Sequence, residues 1–427
     1  MTFASVKPAG FTSPLAESLA EDVLERFLRY VKIDTTSDPE SASYPSTSKQ
    51  LDLSRLLAGE LLTLGLGDAR VDEHGYVVAT LPESAGTAAP IVGLVAHVDT
   101  SPDASGTNVK PHVWQAYDGG VISLPGDPRQ MLSPQDSRAL GEHSGHDIVT
   151  SDGTTLLGAD DKAGVAEIMA AVAYLTRHPE VRHGQIKIGF TPDEEIGQGT
   201  KYFDISAFGA AVAYTVDGSD IGEIEDETFS ASAVTITIRG HNIHPGYAKG
   251  KLVNSIKLAG QLLAKLPASA LSPETTEGRQ GYVHPMGVEG SIEQTRLKFI
   301  VRDFESELLE QHEALLQRLA DEVAASEPRA QVLVEVSRSY RNMKEYLKDH
   351  PRALEAAEEA VRRAGLMPKR AFIRGGTDGA RLSEAGLPTP NLPTGAHDYH
   401  SVREWVSVQD MASAAATLVH LVQVWAE

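Results

Sequence analysis

The chain has no cysteine among its 427 residues. This excludes disulfides, a thiolate nucleophile, iron–sulfur clusters and cysteine zinc sites, and leaves His, Asp and Glu as the metal ligands on offer. Basic residues are scarce: 38 Lys and Arg stand against 59 Asp and Glu, a formal net charge of −21. An acidic excess of this size argues against a partner bound through its phosphates, so no nucleic-acid partner is expected. Long apolar runs are also missing. The stretch IVGLVA at 91–96 is among the longest, far short of the roughly 18 residues of a bilayer span, and no membrane partner is expected. The opening residues hold no apolar core of signal-peptide type ahead of an amphipathic helix predicted at about 16–31, which makes a cytoplasmic protein the default.

What is present suits a folded protein. Apolar residues make up 41% and charged residues 23%, close to the globular average, so the acidity is spread over a sequence with a core to bury. The length makes a single core improbable and suggests two domains. From Leu15 to about Asp217, helical stretches alternate with short apolar runs (YVVATL, IVGLVA, IKIGFT, AVAYTV) that read as buried strands of an α/β sheet. Between two of them, Val165, Ile168, Met169, Val172 and Leu175 fall at helical spacing. After about Glu227 the order becomes βαββαβ, which fits a ferredoxin-like arrangement with helices on one face of an antiparallel sheet. From about Tyr340 the α/β style resumes. The expected organisation is a discontinuous catalytic domain, 1–227 and 341–427, interrupted by an inserted α+β domain at 228–340. The segment from Ser101 to Val149, rich in Gly, Pro, Ser and Asp, is too long for an idle loop and is either functional or locally structured.

Three of the four strands end in acid or imidazole: IVGLVA in His97 and Asp99, IKIGFT in Asp193, Glu194 and Glu195, AVAYTV in Asp217. In open α/β sheets ligands bind beyond the carboxyl ends of the strands, so these residues are candidates to share one crevice. A further acidic pair, Asp160-Asp161, stands immediately before the helix that begins near 163. His97 and Asp99, two apart on an extended strand, point the same way, and an Asp so placed can orient the imidazole and raise its basicity. Each motif alone has an ordinary reading, as a strand-end turn, a solvated acidic turn or a helix cap. Their concentration on one edge favours chemistry. Three carboxylates and two neutral imidazoles set a charge of −3 against two divalent cations, and a carboxylate outside the ligand set could take a proton from water, which points to metal-assisted hydrolysis. The second imidazole comes from Ala396-His397-Asp398-Tyr399-His400, where spacing does not separate His397 from His400.

Taken in order, HVDTSPD, GADDKAG, TPDEE, YTVDG, HPGYAKG, RGGTDGA and the late YH resemble the M20 family of metallopeptidases, and within it the peptidase T branch of tripeptide aminopeptidases. The similarity runs from about residue 20 to the end. The resemblance implies a zinc-peptidase-like catalytic domain with a mixed sheet and an inserted lid, compatible with a homodimer through that lid. It implies two Zn2+ per subunit, in a ligand set that would also accept Mn2+ or Co2+, with His97 and Asp217 on one ion, Glu195 and His400 on the other and Asp160 bridging. It makes Asp99 the residue that orients His97 and Glu194 the general base. It assigns His244 to the scissile carbonyl, Arg374 to the peptide carboxylate and Asn254 to the lid's substrate contacts. Ser401 stands where the family usually has Gly, and the first 15 or so residues extend beyond the family's usual start. The expected substrates are tripeptides. The alternative is another activity of the family: dipeptidase, carboxypeptidase or N-acyl amino acid deacylase. A silent peptide-binding protein is disfavoured, since Glu194 and every matched ligand are present.

Overall fold

The structure, a computed structural model, describes residues 10–427. Of the opening residues set aside above, 1–9 lie outside the described residues; Pro14 and Leu15 already belong to the first helix, Pro14–Tyr30, capped by the Ser13 side chain. Residues group into two units, one comprising 10–226, 346–371 and 377–427 and the other 227–345 and 372–376. No helix of the described residues is long and apolar enough to cross a membrane.

The larger unit is built on an eight-stranded sheet in the order Arg70–Val71, Val77–Leu81, Ile186–Thr191, Val92–His97, Val212–Gly218, Asn391–Pro393, Glu223–Thr228, Lys369–Ile373. The sheet is mixed. Val92–His97 runs parallel to both Ile186–Thr191 and Val212–Gly218, whereas Val77–Leu81 is antiparallel to its neighbour. The three central strands are buried almost throughout, which is why they read as continuous apolar runs and not as alternating ones. Because they are parallel, their carboxyl ends open on the same edge, and His97, the 193–195 turn and Asp217 are carried there together.

Helix Ala159–Arg177 packs against this sheet, with Val165, Ile168, Met169 and Val172 fully buried. Its first turn comes so close to the strand ending at Asp217 that a Cβ on Gly164 would lie 1.9 Å from the Val216 carbonyl oxygen. Only glycine permits that approach.

The 101–149 segment is locally structured. His112–Trp114 and Ile148–Thr150 join Trp405–Ser407 and Ala396–His397 in a small four-stranded sheet, beside a two-stranded ribbon and the short helix Arg138–Glu142. Tyr117, Ile122, Leu124, Leu132, Leu140 and Trp405 give it a core of its own.

The smaller unit has the order strand, helix, two strands, helix, strand. Its four strands form an antiparallel sheet in the order Tyr282–Gly290, Gln294–Asp303, Ser230–Arg239, Gln331–Tyr340. Val234, Ile236 and Ile238, with Leu297, Phe299 and Val301 on the adjacent strand, alternate inward and pack with the helices Ser255–Leu263 and Ser306–Ser326.

Candidate metal centre and active site

His97 closes its strand with 2% of its surface exposed. Its Nδ1 lies 3.1 Å from the Asp99 carbonyl oxygen and 3.3 Å from the Asp99 carboxylate. Both are acceptors, so Nδ1 carries the proton and Nε2 is left to face Asp160 Oδ1 at 2.9 Å and Asp217 Oδ1 at 3.5 Å. The Asp99 carboxylate also accepts the amide N–H of Glu194 at 2.9 Å and of Glu195 at 3.2 Å. One buried carboxylate therefore orients the imidazole on its own strand and the acidic turn of the next.

Asp160 stands between two imidazoles. One oxygen faces His97 and the other, Oδ2, lies 3.3 Å from His400 Nε2, which is also 2.8 Å from Glu195 Oε2. His400 reaches this position on a tight turn in which Asp398 and His400 both have positive φ, 55° and 56°, and Trp405 Nε1 pins the turn by donating to Asp398 Oδ2 at 3.0 Å. His397 goes elsewhere: its ring stacks on Trp405 with centroids 4.3 Å apart, and its Nδ1 is 3.6 Å from Asp220. Asp193, first of the acidic run, is consumed locally, accepting from Ser46 N and Gln50 Nε2, each at 2.6 Å. That leaves Glu194 and Glu195 for chemistry.

The charges here are poorly balanced. Hydrogen bonds to Asp160 and Glu195 push His400 up to about 11. Burial opposes protonation of His97, but Asp217 and Asp160 raise it well above the ordinary histidine value. Burial, with the Asp160 charge nearby, drives Glu195 up to about 8; burial also lifts Asp217 to about 6 and Glu194 well above the carboxylate range. Burial and mutual repulsion make these acids costly to ionise unless positive charge stands among them. One atom each from His97, Asp160 and Glu195, and one each from His97, Asp161 and Asp217, come within 4.8 Å of one another, and Glu195 Oε1 is buried without a hydrogen-bond partner. A set of oxygen and imidazole donors with an orphaned carboxylate oxygen fits divalent cations.

Two further residues support the site: Glu404, which the sequence does not mark, and Asp161, already a candidate as half of the Asp160-Asp161 pair. Glu404, 1% exposed, accepts the amide N–H of Leu157, Gly158 and Asp160 at 2.8, 2.7 and 2.9 Å, so it cradles the loop that presents Asp160. It lies in no motif and some 240 positions away, and no local signal marks it. Asp161 is different: its carboxylate accepts from His97 N at 3.1 Å and Gly164 N at 3.2 Å, joining strand end to helix start.

The three remaining candidates belong to the smaller unit. His244 is exposed and its Nδ1 accepts from Gly246 N at 3.2 Å, capping a short 3-10 turn. Asn254 caps helix Ser255–Leu263, its side chain accepting from Ile256 N at 3.0 Å and Lys257 N at 3.2 Å. Arg374 donates to the carbonyls of Gly278 at 2.7 Å and Gln280 at 2.9 Å and to Thr276 Oγ1 at 3.0 Å, and its guanidinium lies over the rings of Phe229 and Tyr282.

Comparison with known proteins adds a second line. A profile described as peptidase family M20/M25/M40 matches residues 150–424. Peptidase T of Geobacillus thermodenitrificans is 46% identical over 407 residues, covering 95% of this chain and 99% of that protein. Peptidase T of Bacillus subtilis is 44% identical over 403 residues, covering 94% and 98%. Among solved structures, aminopeptidase PepT from Bacillus cereus superposes with a TM-score of 0.74 at 24% identity, covering 96% of this chain and 99% of the other. A dinuclear metal-binding peptidase of the M20 family from Bacillus subtilis superposes with a TM-score of 0.64 at 16% identity, covering 96% and 98%. At such identities the two structures speak to the mixed α/β fold alone.

Proposed function

This chain belongs to peptidase family M20/M25/M40 and is a peptide hydrolase, and on that premise we propose that it is a dinuclear zinc aminopeptidase releasing the N-terminal residue of tripeptides. The observation that carries the proposal is Asp160, whose two oxygens face two different imidazoles. The names of the relatives, peptidase T at 43–48% identity over 94–95% of this chain, favour the aminopeptidase among the activities of the family.

In this reading His97 and Asp217 would hold one cation, Glu195 and His400 the other, and Asp160 would contribute to both. When bound, the pair supplies Lewis-acid polarisation of the scissile carbonyl and acidifies the attacking water. The rest is done by side chains. Asp99 keeps the proton on His97 Nδ1, so that Nε2 remains a ligand. Glu194, anchored through its amide to Asp99, takes a proton from the water at its carboxylate and delivers it to the departing amine. The family resemblance assigns His244 to the scissile carbonyl, Arg374 to the peptide carboxylate and Asn254 to substrate contact. For Arg374 this means exchanging some of its bonds to the 276–280 loop for the substrate's carboxylate. A cytoplasmic homodimer formed through the smaller unit belongs to the same proposal.

Glu194→Gln tests it. The variant is expected to keep its metal, measured by elemental analysis, and to lose about 100-fold or more of turnover on Ala-Ala-Ala. Near-normal turnover would remove Glu194 from the mechanism. Wild-type protein should leave N-acetylated Ala-Ala-Ala intact; cleavage of it would favour a deacylase.

A further inference from the structure

The small sheet of the larger unit carries a second group of imidazoles and carboxylates that peptide hydrolysis leaves unused. His143 follows helix Arg138–Glu142, His146 precedes strand Ile148–Thr150, and Asp410 lies in the first turn of helix Val408–Trp425. His143 Nδ1 is 2.6 Å from the Ala139 carbonyl oxygen and its Nε2 is 2.6 Å from Asp410 Oδ2. His146 Nδ1 is 2.8 Å from Ser407 Oγ and 3.8 Å from Asp410 Oδ1. One ligand atom from each of the three residues lies within 4.8 Å of the others.

The hydrogen-bond arithmetic is informative. A backbone carbonyl only accepts, so His143 Nδ1 bears a proton; a carboxylate also only accepts, so a second positive entity must stand between Nε2 and Asp410. It is either a second proton or a cation. A carbonyl on the far nitrogen is the arrangement that orients a metal-ligating histidine. Independently, His397 is 9% exposed, its Nε2 has no hydrogen-bond partner, and its ring centroid is 5.7 Å from that of His143. His143, His397, Asp220 and Asp410 line a pocket of about 570 Å³, which gives an ion and its waters a route in.

We propose that His143, His146 and Asp410 bind one divalent transition-metal ion of the zinc type, separate from the catalytic centre, with the pocket side open to water and to His397. Two imidazoles and one carboxylate suit zinc better than calcium or magnesium, which prefer all-oxygen sites. The ion replaces the proton shared by His143 and Asp410, so binding releases a proton to solvent. It ties together two chain segments far apart in sequence, 138–146 and the first turn of the last helix.

The test is zinc content by mass spectrometry, after equilibration at fixed free zinc and desalting, of the full chain and of His143→Gln, His146→Gln and the double variant. Each is expected to carry one zinc per chain fewer than wild type, with a loss of site affinity on the order of 100-fold or more and hydrolysis of Ala-Ala-Ala within about twofold of wild type. A chain with His97→Ala and Asp217→Ala should still hold the zinc that His143→Gln removes, which separates this site from the peptidase centre. Equal zinc in wild type and a folded double variant overturns the proposal, whatever the catalytic centre holds.

Discussion

Glu225 and Glu227 lie two residues apart on one strand, 8% and 7% exposed, one in the larger unit and one in the smaller. Burial penalises both charges, yet they shift in opposite directions. Burial drives Glu225 up to about 8, its side-chain partner being Asn391. Burial also works against Glu227, but Arg279, bidentate at 2.6 and 2.7 Å, with Asn342 and Lys344, holds it below the ordinary carboxylate value. The same contrast runs through both regions. The larger unit gathers buried acids around His97 and His400 and leaves them short of cations; the smaller unit answers Glu227 with arginine and sets Asn254 and Arg374 on nearby main chain. Buried like charge is costly, so a fold that concentrates it is one whose ligand offsets the cost.

The largest expected effect comes from loosening the acid-rich region. Glu404→Gln keeps the shape but removes the charge to which three amides point, and zinc affinity of the centre should fall about 10- to 100-fold in a chelator competition. Unchanged affinity would mean that Asp160 holds its position without that cradle. Next, Arg279→Ala strips Glu227 of its bidentate partner, and the urea midpoint should fall by the equivalent of about 2 kcal/mol, below the cost of breaking a fully buried pair because the arginine is 44% exposed. Glu225→Gln sharpens the contrast through pH. Its folded pKa is raised, so its contribution is complete below about pH 4.5 and is lost as pH rises through about 8. Wild type should therefore lose on the order of 1–2 kcal/mol relative to the variant between pH 6 and 9, read from urea midpoints; parallel midpoints would place Glu225 in contact with a cation. The smallest effect is Asn254→Ala, expected to cost roughly 0.5–1 kcal/mol through loss of the helix cap. A change in tripeptide KM beyond that would give Asn254 a role in binding as well as in capping.

Strand ends were the most legible part of the sequence. Double burial makes the central strands continuous apolar runs, so their ends, and the acids on them, stand out. The choice between His397 and His400 was not legible from spacing, because it depends on a left-handed turn held by Trp405 on Asp398. Glu404 was invisible for a related reason: its work is done on main-chain amides, which any sequence supplies. The 101–149 segment hid its small sheet because strands of two or three residues are too short to show a period. Asn254 does carry a sequence signal for its place, an Asn directly before an amphipathic helix, the usual mark of a cap.

The contact at Gly164 has one more implication. With 1.9 Å between a notional methyl and the Val216 oxygen, helix and strand meet backbone to backbone, and no side chain stands between them to be resized. The offset between Asp160, at the head of the helix, and Asp217, at the foot of the strand, is thus set by the chain's own thickness. Substitutions elsewhere can retune charge, access or substrate fit, but this dimension is a gauge block built into the fold.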